Sequence, residues 1–264
     1  MTRMLPDATF ANRTVLVTGG GTGLGKETAH RFGELGARVV IASRKAEHLD
    51  PAAEELRGAG VDVLAVPTDV TRPARVAALL ETAVERFGRI DVLVNNAAGN
   101  FYCPTADLSP AGWKVVIDIA LNGVFYCSRE IGRHMIEQGG GRIVNVVATY
   151  AWTGGPGTAH SAAAKAGVLA LTRTLAVEWA QHDVRVNAVS PGPFHSDGAK
   201  KRLWPDAKTE AAMKAQVPLQ RFATRHEVAD AITWLASPFA DYVNGEVLVM
   251  DGGAHLGRGL TGEA

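Results

Sequence analysis

The stretch Thr18-Gly19-Gly20-Gly21-Thr22-Gly23-Leu24-Gly25 constrains this chain more than any other. It follows an apolar, β-branched run, Thr14–Thr18, and leads into an amphipathic segment, Gly23–Leu35, that stops at Gly36. A strand that turns on glycines straight into a helix sends the chain back to the same edge, so the next strand runs parallel to the first. Glycines at 19, 23 and 25 permit a tight turn and let backbone N–H groups approach a pyrophosphate. The helix N-terminus adds its partial positive charge.

The rest of the chain repeats the alternation. Strands are expected at Arg38–Ala42, Asp62–Val66, Asp91–Asn95, Arg142–Val147, Arg185–Ser190 and Glu246–Met250. Helices fit between them at Ala46–Arg57, Pro73–Phe87, Gly112–Glu137, Ala162–Trp179 and Arg225–Ala236. Strands alternating with helices imply a parallel sheet covered on both faces. The expected fold is α/β, a single-domain Rossmann-type doubly wound parallel sheet over residues 1–264. The least regular stretch, about 192–216, is read as a substrate loop, because ligands of such sheets bind beyond the carboxyl ends of the strands.

Bulk properties exclude several function classes. Lys and Arg total 27 and so do Asp and Glu, so the net charge is zero and neither a nucleic-acid nor a membrane partner is expected. The two cysteines, Cys103 and Cys127, are spaced for neither a metal nor a redox pair and are read as buried structural thiols. Residues Met1–Phe10 hold no apolar signal core, no segment is long and apolar enough to span a bilayer, and Gly262-Glu263-Ala264 is not a peroxisomal tripeptide. A cytoplasmic location is expected.

The end of the second strand selects the cofactor. An acidic residue there would hold both ribose hydroxyls, but the chain reads Ala42-Ser43-Arg44-Lys45. A hydroxyl and two cations suit a 2′-phosphate, so NADPH is expected at Gly19, Thr22, Gly23, Leu24, Gly25, Ser43, Arg44 and Lys45.

These motifs are those of the short-chain dehydrogenase/reductase family, which the chain resembles. The resemblance extends the cofactor site to Asp69 and Val70 at the adenine, to Asn96, Ala97, Ala98 and Gly99 as the nicotinamide-side wall, and to Pro191, Gly192 and Phe194 beside the nicotinamide amide. The family usually carries a tyrosine four residues before a catalytic lysine. Lys165 is present, but Ser161 stands four before it, and the usual assisting serine is Ala148. A serine hydroxyl is too weak an acid for proton transfer at neutral pH. Three readings remain: an inactive protein, a relocated tyrosine, or a reaction whose proton step differs.

Asn95–Phe101, Asp118–Gly123, Thr149-Tyr150-Ala151 and Ser161–Gly167, in that order, resemble the 2,4-dienoyl-CoA reductases, chiefly the mitochondrial type. The resemblance runs to Asp251-Gly252-Gly253. It implies a catalytic set of Tyr150, Lys165, Asn122 and Ser161. Tyr150 and the Asn122 amide would stabilise an enolate oxygen, and Lys165 would hold the ribose and keep the Tyr150 pKa down. Leu175–Trp179 and Tyr242–Gly253 are similar to the peroxisomal type, whose aspartate is replaced here by Ala120. The implied substrate is an acyl-CoA thioester, with Lys200-Lys201-Arg202 as a candidate phosphate clasp. The family also implies a homotetramer built on the two long helices. Taken singly, Asn122 reads equally as a helix-kink residue, Tyr150 as a loop aromatic and Ser161 as a helix cap. The alternatives are a carbonyl reductase or alcohol dehydrogenase with a shifted tyrosine, and a non-catalytic NADPH-binding scaffold.

Overall fold

The fold is that of a computed structural model, which describes residues 4–194 and 206–256. Seven strands form it: β1 (Thr14–Thr18), β2 (Arg38–Ser43), β3 (Val63–Pro67), β4 (Val92–Asn95), β5 (Gly141–Val146), β6 (Val184–Pro191) and β7 (Val247–Met250). All pair in parallel, in the order β3-β2-β1-β4-β5-β6-β7. The order reverses between β1 and β4, which opens a crevice at their carboxyl ends.

Side chains of a strand alternate between the sheet's faces, and the two cores separate accordingly. Val15 and Val17 of β1 pack with Phe32, Leu49 and Ile232 on one face. Leu16 packs with Val40, Leu93, Ile131 and Ile143 on the other. The first face is covered by α1 (Gly23–Glu34), α2 (Ala46–Gly58) and α9 (Arg225–Ala236). The second is covered by α3 (Pro73–Phe87), α5 (Gly123–Glu137) and α7 (Ala159–Trp179). α9 starts with a reciprocal capping box between Thr224 and Glu227.

Three elements differ from the sequence reading. The segment expected as one helix from Gly112 to Glu137 is α4 (Pro110–Ile117), capped by Ser109, then a π turn at Asp118–Asn122, then α5. A four-residue helix, α6 (Tyr150–Thr153), follows β5. Within the stretch read as irregular, Ala207–Ala215 forms α8, because Asp206 accepts the Thr209 N–H and caps an alanine-rich run. Cys127 is buried as expected, whereas Cys103 is only half-buried. Among the described residues no helix is long and apolar enough to cross a membrane.

Candidate active site

The glycine turn between β1 and α1 is held from the neighbouring strand. Asn96, just past β4, donates its side-chain amide to the carbonyls of Thr18 (2.9 Å) and Gly19 (3.4 Å). Thr18 Oγ1 accepts the N–H groups of Asn96 and Ala97, each at 3.0 Å. Asn96 and Ala97 therefore pin the turn. A Cβ on Gly25 would lie 2.3 Å from the Gly19 carbonyl oxygen, so only glycine lets helix and turn pack this closely. Gly23 has φ +54° and open space where a Cβ would sit. Thr22 caps no N–H group, and the first turn of α1 contains no acid. An anion placed there meets backbone donors and no carboxylate, which fits a nucleotide pyrophosphate.

At the end of β2 the two cations differ. Lys45 is held by Glu47 at 2.7 Å. Arg44 makes no side-chain hydrogen bond or ion pair among the described residues and lies near Asp69. Burial pushes the Asp69 carboxyl up, but the Thr71 hydroxyl (2.8 Å) and N–H (3.0 Å), with Arg44 and Arg72, outweigh it and leave its pKa below the ordinary value. Val70 is buried against Gly123 of α5. On the other side of the crevice the Gly192 N–H donates to the Met250 carbonyl at 2.9 Å. A Cβ on Gly192 would come within 2.6 Å of Asp251 Cα, so the Pro191–Phe194 segment is pressed against the end of β7.

Three of the four residues expected to be catalytic, Tyr150, Ser161 and Lys165, lie on α6 and α7. Tyr150 Oη lies 3.0 Å from Ser161 Oγ. Ser161 is one turn before Lys165 on α7, within the helix; Thr158 occupies the cap position, so Ser161 is not a cap. Lys165 Nζ donates to the Val146 carbonyl at the end of β5, at 2.7 Å. Burial alone brings the Lys165 pKa down to about 8. Burial raises the Tyr150 pKa, against smaller opposing effects of hydrogen bonds from Ser161 and Asn100. This corrects the expectation that Lys165 depresses the phenol: Lys165 is not among the groups that shift it. Desolvation without an adjacent charge keeps the phenol protonated, a donor and not a base.

Asn100 also acts on the phenol. Asn100 lies in the loop after β4, its Oδ1 held by the Phe101 N–H at 2.9 Å, and its side chain is near enough to the Tyr150 phenol to lower its pKa slightly against the effect of burial. Asn122 closes the π turn and donates its amide to Asp118 Oδ1 at 3.0 Å. The turn packs on α7 through Leu121 against Gly167 and Ala120 against Ala164. π turns of this kind concentrate at functional sites, and the bond to Asp118 uses one of the two N–H groups of this amide. Asn100 carries no sequence signal of its own; next to Gly99 it reads as a turn residue.

Behind the site, Asn95 Nδ2 donates to Ser128 Oγ (2.9 Å) and Asn145 Oδ1 (2.8 Å), and Asn145 donates to Thr172 Oγ1 (2.9 Å). This buried chain ties β4 and β5 to α5 and α7. Imidazole His160 is fully buried, its Nδ1 accepting the Ser161 N–H at 2.8 Å, with Phe101 edge-on at 4.4 Å. A cavity of about 370 Å³ lined by Pro193, Val217, Leu219, Met250 and Asp251 adjoins the cofactor segment without including Tyr150 or Lys165. Lys200-Lys201-Arg202 lies outside the described residues.

The family described as Enoyl-(Acyl carrier protein) reductase matches residues 19–255. A probable 2,4-dienoyl-CoA reductase [(2E)-enoyl-CoA-producing] of Bacillus subtilis (strain 168) is 45% identical over 246 residues, 92% of this chain and 97% of that protein. The crystal structure of a short chain dehydrogenase from Bacillus anthracis str. 'Ames Ancestor' superposes with a TM-score of 0.85 at 48% identity, covering 94% of this chain and 98% of that one. A putative NAD(P) dependent gluconate 5-dehydrogenase from Beutenbergia cavernae, with bound NADP at low occupancy, has a TM-score of 0.89 at 34% identity, covering 94% and 99%.

Proposed function

The chain belongs to the short-chain dehydrogenase/reductase family of oxidoreductases, and from that premise we propose that it is an NADPH-dependent 2,4-dienoyl-CoA reductase serving the β-oxidation of unsaturated fatty acids. The observation that carries the reading is the half-buried Tyr150 phenol, hydrogen-bonded to Ser161, with burial raising its pKa and so keeping it a donor. A carbonyl reductase needs a proton delivered to an alcohol oxygen. A conjugate reduction needs donors at an oxygen several bonds from the carbon that is reduced, and a phenol displaced from the usual position serves that purpose.

Gly19, Thr22, Gly23, Leu24 and Gly25 would hold the pyrophosphate. Ser43 and Arg44 would hold the 2′-phosphate, with Arg44 rather than Lys45 as the principal cation. Asp69 and Val70 would face the adenine, and Ala98, Gly99, Pro191, Gly192 and Phe194 the nicotinamide. When bound, NADPH supplies the hydride. Negative charge then gathers on the thioester oxygen of the substrate. Tyr150 donates its O–H to that oxygen, and Asn100 and Ser161 keep the phenol aimed there. Lys165, its Nζ placed at the end of β5 by the Val146 carbonyl, would hold the nicotinamide ribose. Water protonates carbon and releases the enoyl-CoA. Asn122 supports α7 through the π turn. Exposed apolar residues on the paired helices, Phe125 on α5 and Val177 (81% exposed) on α7, support assembly into a homotetramer.

The test mixes purified protein, NADPH and 2,4-hexadienoyl-CoA and follows NADPH and conjugated-dienoyl absorbance together. Coupled loss of both is expected, and Tyr150→Phe should lower it by about 10²–10³-fold while NADPH affinity stays within about twofold. Failure to consume the diene, with NADPH oxidised on a panel of aldehydes and ketones, would establish carbonyl reduction instead. Binding of NADPH without turnover would establish a scaffold.

A further inference from the structure

Trp152 is 41% exposed, two residues past Tyr150 on α6. Its ring neighbour comes from the other end of the chain. His255, in the turn after β7, meets the indole edge-on with centroids 6.3 Å apart. The imidazole is itself anchored. Asp251, 7% exposed, accepts the His255 N–H and His255 Nδ1 on one oxygen, both at 2.8 Å, and the Gly253 N–H on the other at 3.0 Å. Asp251 is also the residue against which Gly192 of the nicotinamide-side segment packs. Leu219, 63% exposed, joins the same group by donating its N–H to the Gly252 carbonyl at 3.3 Å. Thus the Asp251–His255 turn joins α6, through Trp152, to the Pro191–Phe194 segment, through Gly192, and Trp152 is the exposed aromatic of the group.

We infer that Trp152, braced by His255 on Asp251, is the wall that receives the acyl tail of the substrate and ranks substrates by chain length. The inference rests on the acyl-CoA reading above. A thioester oxygen at Tyr150 and a reduced carbon beside Pro191–Phe194 leave the remaining alkyl chain to run past Trp152 and His255. A half-exposed indole gains by covering its surface with methylene groups, and the contact as a whole shifts the long-to-short ratio by about tenfold. His255 and Asp251 act through the indole as positioning residues.

The experiment compares kcat/KM for 2,4-decadienoyl-CoA and 2,4-hexadienoyl-CoA in wild type, Trp152→Ala, Trp152→Phe and His255→Ala, all as the full chain. The long-to-short ratio should fall about tenfold in Trp152→Ala, through KM rather than kcat. It should fall in the same direction in His255→Ala and be largely retained in Trp152→Phe. A ratio unchanged within twofold in both alanine variants, whatever their overall loss, would overturn the inference and leave the reductase reading intact. Calorimetric binding of decanoyl-CoA and hexanoyl-CoA to wild type and Trp152→Ala separates the two claims. Should wild type reduce no dienoyl-CoA, a decanoyl preference that disappears in Trp152→Ala sustains the wall and sinks the reductase. Absence of binding, or a preference indifferent to the substitution, sinks the wall.

Discussion

Lys165→Met should stabilise the cofactor-free protein while abolishing its activity. Lys165 is 5% exposed and, among the described residues, has no carboxylate partner and donates to one carbonyl, that of Val146. Burial lowers its pKa from 10.5 to about 8. Each pKa unit is worth about 1.4 kcal/mol, so holding the ammonium inside the folded protein at pH 7 costs roughly 3 kcal/mol. Methionine fills the same space without a charge but leaves the Val146 carbonyl unpaired, at about 1 kcal/mol. The net expectation is about 2 kcal/mol of stabilisation at pH 7. The pH dependence has a definite sign. Between about 8 and 10.5 the unfolded lysine binds a proton that the folded one has shed, so wild-type stability rises with pH across that window. The methionine variant lacks this rise, and its advantage shrinks as pH climbs. Urea denaturation of both proteins at several pH values without NADPH measures the difference, in which every other titrating group cancels. A variant less stable than wild type at pH 7, with a difference independent of pH, would refute the reasoning.

Three further outcomes are expected. Arg44→Asp should cut the preference for NADPH over NADH by about 10²-fold, read from kcat/KM with each cofactor, because it replaces the 2′-phosphate's cation with a repelling charge. Asn100→Ala should lower kcat by about 10²-fold while Asn122→Ala acts mainly on stability, seen as a shifted urea midpoint; the reverse pattern would return the catalytic role to Asn122. Thr224→Ala should remove the capping box of α9 and cost about 1 kcal/mol in urea denaturation, without changing KM for NADPH.

The sheet was legible because its strands are continuous β-branched runs bounded by glycine or charge, as strands buried on both faces must be. Pro73–Phe87 and Arg225–Ala236 were legible to the residue, since proline and a Thr-x-x-Glu box mark their starts. α8 was hidden by its polar composition, although Asp206 before an alanine-rich run is a helix start. Tyr150 and Ser161 were named through the resemblance, but the hydrogen bond between them was not foreseen. Nor was the Asn100 contact, because it joins the loop after β4 to the helix after β5, and periodicity carries no information about which loops meet. The Lys165 pKa was equally invisible, being set by how completely α7 buries the amine against β5.

The π turn at Asp118–Asn122 amounts to one residue inserted into a helix. Val116, Ala120 and Val124 are spaced by four across it, and the inward sequence then continues through Cys127, Ile131 and Met135. The wide turn absorbs the extra residue, so α5 keeps the phase of α4. Deleting one residue from the turn would restore α-helical winding and leave Cys127, Ile131 and Met135 against the sheet. A helix advances about 100° per residue, so the same deletion between Gly123 and Tyr126 would swing Cys127 and Ile131 off the sheet and carry the flank bearing Arg129 and Arg133 toward it. The π turn is therefore the one place where this helix can lose a residue without a rewritten inward face.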